Sequence, residues 1–383
     1  METLELLQTL ADVPGPAGRE GAICDILMAL WQPLVDNIRV DAMGNLIALQ
    51  QGTLSDTSER RAVMAAAHMD EIGLIVTGIE RGFLRIHALG GVDRRVLLGL
   101  EVRVHGRSEL PGIIGSRPPH VLPASERRKV LPWHELFVDV GLPVDEVKRL
   151  VRVGDHITIH QAVTSLENSR AAGKAMDNRA CVAALTLTLE ALRHRAHAWD
   201  FYAVATVQEE VGVKGAITSA YGVAPDLAVA LDVTFAIQHN DSDPGVFELG
   251  KGPTIGVGPN CHPQIVTRLN EAAAADEVPT TIEPLPGSSG TDAWGIQVAR
   301  EGIPCGLISI PIRYMHQPVE VVELKDIERA GRLLTGFVTR LESDYTPRWE
   351  DDAAADAEEK TPSGKDSAAS AAAPANASRG THA

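Results

Sequence analysis

The sequence predicts an α/β fold: a three-layer α/β/α core on a mixed sheet, with a small β-barrel-like unit inserted into it. Three observations predict it. Towards both ends of the chain, short apolar runs rich in β-branched residues alternate with helical segments. Between residues 72 and 162 the texture changes to brief β-type runs separated by Gly and Pro. Beyond Tyr345, Ala, Ser, Asp and Glu take over and large apolar residues become scarce. The expected organisation is therefore a discontinuous α/β domain (residues 1–71 and 163–345), an inserted β-rich domain (72–162), and a tail (346–383). The tail is expected to be disordered, because it buries too little surface to offset the entropy of ordering.

The bulk numbers agree. A chain of 383 residues with 44% hydrophobic content can build a large core. A formal net charge of −16 argues against sequence-independent binding to nucleic acid or an anionic membrane, which needs clustered Lys and Arg. The four cysteines, Cys24, Cys181, Cys261 and Cys305, form no C-x-x-C pair and read as reduced thiols. The acidic start, Met-Glu-Thr-Leu-Glu-Leu-Leu, lacks the basic region of a secretory signal, and no run reaches the ~20 apolar residues of a membrane span. The expected compartment is the cytoplasm.

Element by element, residues 2–11 and a segment ending near Leu30 read as packing helices, split by the turn Val13-Pro14-Gly15-Pro16. Ile38–Asp41 and Asn45–Leu49 read as a strand pair, and Ala62–Ala67 as a buried strand ending in His68-Met69-Asp70-Glu71. In the inserted unit, strands are expected at 73–79, 83–87, 101–105, 112–114, 136–140 and 156–159, with a helix at 144–150; residues 117–130 read as a mobile loop. Asp177 stands before a helical run, 180–192, where an N-cap is the ordinary explanation and a ligand the other. The helix ends in His194 and His197, which the helix dipole explains without a metal. Asp200–Val207 reads as a central strand that stops at Glu209 and Glu210, and 227–231 as another that ends in Asp232. The strand 306–311 is followed by His316, and a helix, 324–341, closes the fold.

Adjacent glutamates share one site only where the pleat breaks, at a strand end. Two carboxylates held together repel, and a bound cation relieves this; a solvated acidic turn is the alternative. His68, Asp177, Glu210, Asp232 and His316 form a set of potential ligands that a sheet can gather along one edge. The set is too acidic for structural zinc and suits a two-metal hydrolytic centre, with Asp177 as the candidate bridge. Glu209 is then left free to take a proton from water, and Asp70, two residues from His68, can orient its imidazole. No H-E-x-x-H, G-x-S-x-G or phosphate-binding loop competes with this set.

The segments AHMDEIGLIV, GKAMDNR, VQEEVGVKGA, LDVT, GTDAW and RYMHQPVE, in this order, resemble the tetrahedral, dodecameric metallo-aminopeptidases, family 42 of the metallopeptidases, over residues 1–341. The family includes glutamyl aminopeptidases and members described as endoglucanases. The resemblance implies a co-catalytic metallopeptidase fold whose β-rich insertion serves oligomerisation, two divalent ions per subunit (zinc or cobalt), short peptides as substrates, and a homododecamer. It implies that His68, Asp177 and Asp232 hold one ion and Asp177, Glu210 and His316 the other, with Glu209 as general base and Asp70 as partner of His68. Gln317 stands where Ser is common in the family, and the tail lies outside its pattern. The alternatives to an aminopeptidase are a glycoside hydrolase, which works with two carboxylates and no catalytic metal, and a non-catalytic assembly protein of the same fold.

Overall fold

A computed structural model describes residues 1–53, 60–121, 123–125, 129–241, 243 and 245–348 of the chain. Helices α1 (Thr3–Ala11) and α2 (Gly21–Trp31) are amphipathic: Leu6, Leu7 and Leu10 of the first and Ile23, Leu27 and Trp31 of the second are buried at helical spacing. Strands β1 (Asn37–Val40) and β2 (Leu46–Gln50) pair antiparallel. Their turn is held by Asp41, whose Oδ1 accepts the N–H groups of Met43, Gly44 and Asn45 at 2.9–3.0 Å, while Gly44 takes the positive φ that the reversal requires. Strand β3 (Ala62–His68) follows.

Six strands then close a barrel: β4 (Gly73–Glu80), β5 (Phe83–Leu89), β6 (Glu101–His105), β7 (Glu109–Gly115), β8 (Phe137–Asp139) and β9 (His156–Ile159), in the order β4-β5-β8-β7-β6-β9. Alternate residues, among them Leu74 and Val76, Leu84 and Ile86, and Val102 and Val104, fill its interior, and helix α3 (Val144–Leu150) adds Val147. Of the loop expected at 117–130, residues 122 and 126–128 lie outside the described residues, and Arg117 is paired with Glu135 at 2.8 Å.

The chain returns to the main sheet through β10 (Thr164–Leu166), β11 (Arg170–Gly173), α4 (Met176–Leu192), β12 (Asp200–Thr206), α5 (Lys214–Val223), β13 (Leu227–Phe235), β14 (Thr254–Val257), α6 (Pro263–Ala275), β15 (Thr281–Pro284), α7 (Asp292–Gln297), β16 (Cys305–Arg313), β17 (Glu320–Glu323) and α8 (Leu324–Thr339). The sheet runs β1-β2-β12-β3-β13-β16-β17-β11-β10, with β14 pairing both β16 and β15. Its centre, β12-β3-β13-β16, is parallel, and the outer pairings in that order are antiparallel. Side chains alternate between two cores. Val63, Ala65, Phe201, Leu227, Val229, Leu231 and Ile308 face α1, α2, α4 and α8; Met64, Ala66, Val204, Ala228, Ala230 and Leu307 face α5 and α7. That is the expected three-layer mixed-sheet architecture.

Three local readings differ from expectation. Strand β13 runs on through Asp232 to Phe235, because β16 continues beside it as far as Phe235↔Ile312; the strand that ends near Asp232 is its other neighbour, β3. Asp177 is not an N-cap: Ala175 takes that position, and Asp177 and Asn178 have non-helical backbone within the first turn. The polar edge strand β10 and the short strands β11 and β17 carry no apolar run long enough to announce them. All four cysteines are free and buried. Burial pushes the thiols of Cys24 up to about 11 and Cys261 up to about 12, and raises Cys181 and Cys305 as well. Among the described residues no helix is long and apolar enough to cross a membrane. Residues 346–348 of the expected disordered tail are described, Arg348 donating its backbone N–H to Gln264, and 349–383 lie outside the described residues.

Candidate metal centre

The site forms where β3 and β12 run out together, Thr206 opposite His68 in parallel register. Beyond that pair the pleat breaks. Gln208 takes a positive φ, and the N–H groups of Glu209 and Glu210 both turn to Asp70, donating to its Oδ1 at 3.0 Å and its Oδ2 at 3.2 Å. Asp70 is fully buried, and its Oδ1 also lies 3.5 Å from Nδ1 of His68. One carboxylate thus fixes an imidazole and the turn that carries both glutamates.

The two glutamates then diverge. Glu209 Oε2 lies 3.9 Å from Nε2 of His68, and Glu210 Oε2 lies 3.6 Å from Nε2 of His316. Asp177 stands between the imidazoles, its Oδ1 3.0 Å from Nε2 of His68 and its Oδ2 3.2 Å from Nε2 of His316. The Asp177–Asn178 peptide is cis. Asp232 Oδ1 lies 3.7 Å from His68 Nε2 and accepts the N–H of Val233 at 2.9 Å. Two compact groups result, His68–Asp177–Asp232 and Asp177–Glu210–His316; within each, one ligand atom per residue lies within 4.8 Å of the others. All seven residues singled out from the sequence are brought together, whereas His197 is buried elsewhere, its ring against the carbonyl of Arg195 at 3.0 Å.

The electrostatics favour a cation. Burial, reinforced by Asp177, raises Glu210 well above the carboxylate range, and burial does the same to Asp232 with Glu209 and Asp177 adding to it. Burial lifts Glu209 to about 8, against the pull of His68. Burial also opposes the charge of Asp177, but hydrogen bonds to His316 and His68 hold it low. Oε1 of Glu210 is buried and accepts no hydrogen bond. Acidic oxygens crowded to the point of taking up protons, one of them unpartnered, and two imidazoles aimed at one carboxylate fit divalent cations.

Three contributors escaped the sequence reading. Glu320 accepts the N–H of Asp177 with Oε2 at 3.0 Å and that of His316 with Oε1 at 2.8 Å. Asp292, at the start of α7, accepts the hydroxyl of Thr206 at 2.5 Å; burial raises it to about 6. Gly91 lies so close to His316 that a Cβ there would overlap the imidazole. Glu320 and Asp292 fall inside the segments RYMHQPVE and GTDAW, which was the available signal. Beside these groups opens a cavity of about 630 Å³, walled by residues of β13, β15 and β16 and of the loop before α7.

This fold and site define a class first, the peptidases: solved structures with the same architecture over nearly the whole chain include aminopeptidases. An aminopeptidase of the archaeon Desulfurococcus kamchatkensis is 38% identical, with a TM-score of 0.81 over 91% of this chain and 96% of its own. The TET1 peptidase of Pyrococcus horikoshii, which can assemble into a tetrahedron or a large octahedral shell, is 29% identical, with a TM-score of 0.78 over 89% of this chain and 100% of its own. Lysyl aminopeptidase of Pyrococcus furiosus is 36% identical over 90% of this chain and 99% of its own. The family model of the M42 glutamyl aminopeptidases matches residues 44–333, and the chain belongs to that family of peptidase hydrolases.

Proposed function

We propose that the protein is a dinuclear-metal aminopeptidase that removes N-terminal residues from short peptides, with Glu209 as general base. The observation that carries this reading is the sharing of Asp177 between two ligand groups, with Glu209 outside both and beside His68. His68, Asp177 and Asp232 would hold one ion and Asp177, Glu210 and His316 the other; zinc and cobalt both suit such nitrogen and oxygen donors. When bound, the ions polarise the scissile carbonyl and make water acidic enough to attack near neutral pH. Glu209 receives the proton of the attacking water and hands it to the departing amine, a role open to a carboxylate that stands beside His68 and outside both ligand groups. Asp70 keeps Glu209 and His68 in register through the contacts described above.

The barrel, residues 72–162, is the proposed oligomerisation domain inserted into a catalytic domain of residues 1–71 and 163–345, and the assembly proposed is a homododecamer in the cytoplasm. Support comes from apolar side chains that the barrel region leaves exposed, including Leu98, Ile113 and Val153, and from the shells formed by the Pyrococcus horikoshii relative. The test of the catalytic reading is metal analysis with an aminoacyl-anilide assay of wild type and Glu209→Gln. Two ions per subunit, chelator-sensitive turnover, and a variant that keeps its metal while losing about 10² to 10⁴ in kcat are expected. Full activity in the metal-loaded variant would rule out Glu209 as the base.

A further inference from the structure

The family is described as glutamyl, yet the cavity beside the metal groups carries an acid in its wall. Apart from the residues already assigned to catalysis, Glu283 is the one charged side chain among the described residues lining the cavity. It belongs to β15 and is held rigidly: Oε1 accepts the hydroxyl of Thr234 and Oε2 that of Thr254, both at 2.6 Å. Those hydroxyls belong to buried threonines, and each carboxylate oxygen accepts one of them. Both of these partners are neutral hydroxyls. The carboxylate stands beside the substrate cavity.

Its distance from the reacting centre is set by the sheet. Thr234 lies two residues beyond Asp232 on β13, so both side chains leave the same face, about 7 Å apart along the strand. A residue whose backbone sits at the metal groups therefore meets Glu283 with the far end of a long side chain. Phe235, Phe247, Leu285 and Leu307 line the same cavity and contribute apolar wall suited to an alkyl stem. A flexible four-carbon stem ending in an ammonium, or the guanidinium of arginine, matches this pattern; a glutamate side chain would meet a like charge.

We infer that Glu283 is the specificity residue of the site and selects peptides with an N-terminal lysine or arginine. This rests on the aminopeptidase reading above. The test measures kcat/KM of the metal-loaded full-length protein on Lys-, Arg-, Leu- and Glu-7-amido-4-methylcoumarin, for wild type, Glu283→Gln and Glu283→Lys. Wild type is expected to favour the Lys and Arg substrates. Glu283→Gln is expected to lower the Lys-to-Leu ratio on the order of 10- to 100-fold, mostly through KM, and Glu283→Lys to favour the Glu substrate over Lys. A wild type that prefers Leu or Glu overturns the inference and leaves the aminopeptidase reading standing, whatever the variants do. A Lys-to-Leu ratio unchanged in Glu283→Gln also overturns it. Cleavage of none of the four substrates by wild type overturns both.

Discussion

Glu320 accepts the backbone N–H of Asp177 at 3.0 Å, tying the last of the short sheet strands to the carboxylate that both ligand groups share. Its other oxygen holds the N–H of His316, so one buried side chain sets two ligand-bearing backbones. Glu320→Gln keeps the shape but presents an amino group to one of those N–H donors. The expected result is a loss in metal affinity of roughly 10- to 100-fold, of the size typical for groups that orient ligands, read by calorimetric metal titration. Unchanged affinity and kcat would remove the positioning role.

Gly91 is present because His316 leaves no room for a Cβ. Gly91→Ala is expected to push the imidazole from Asp177 and Glu210 and to cost at least about tenfold in activity, with loss of metal from that group first. Gly78→Ala is the control, since a Cβ there meets only Arg85 at an ordinary 3.6 Å. Equal behaviour of the two variants in metal analysis and assay would contradict the account.

Lys174 donates to both oxygens of Glu71 at 2.9 and 2.8 Å in a buried pair, and Glu71 also accepts the N–H of Gly15. Lys174→Met removes the cation and leaves the acid buried. Breaking such a pair costs about 3–5 kcal/mol, which denaturant titration would register as a lower midpoint. A loss under about 1 kcal/mol would mean that neighbouring cations compensate.

His105 and His156 are both held below the usual histidine value, chiefly by burial. As pH falls through about 6.5 the unfolded chain takes up protons first, so the folded state loses stability across the window just below that value; above it these residues contribute no pH dependence. Between about pH 7.5 and 5.5 the wild-type Tm should therefore drop more than that of the His105→Gln/His156→Gln double variant, both metal-saturated. Parallel curves would refute the assignment.

Much of this was legible because apolar runs mark parallel strands and a strand's end is where polar residues gather. His68, Glu209 and Glu210 stood out on that pattern. Asp232 was found for a reason only partly right: the break in pairing belongs to β3, and β13 continues past it. What stayed hidden acts through the backbone or through space. Glu320 lies in a four-residue strand with an acid at each end and no alternation to read. Gly91 matters only because of His316, a residue far later in the chain. Glu283 reads as one polar residue in a short edge strand until β14 and β13 bring their threonines to it.

The buried cysteines have a practical use. Cys24 and Cys181 lie in the core on the α1–α4 side of the sheet, Cys261 and Cys305 in the core on the opposite side. Thiols that are sheltered and hard to ionise react with alkylating reagents only when their surroundings open. The protein therefore carries two sets of internal labels, one per face. Mass-resolved alkylation over time would report how often each layer lifts from the sheet, and whether the two lift together.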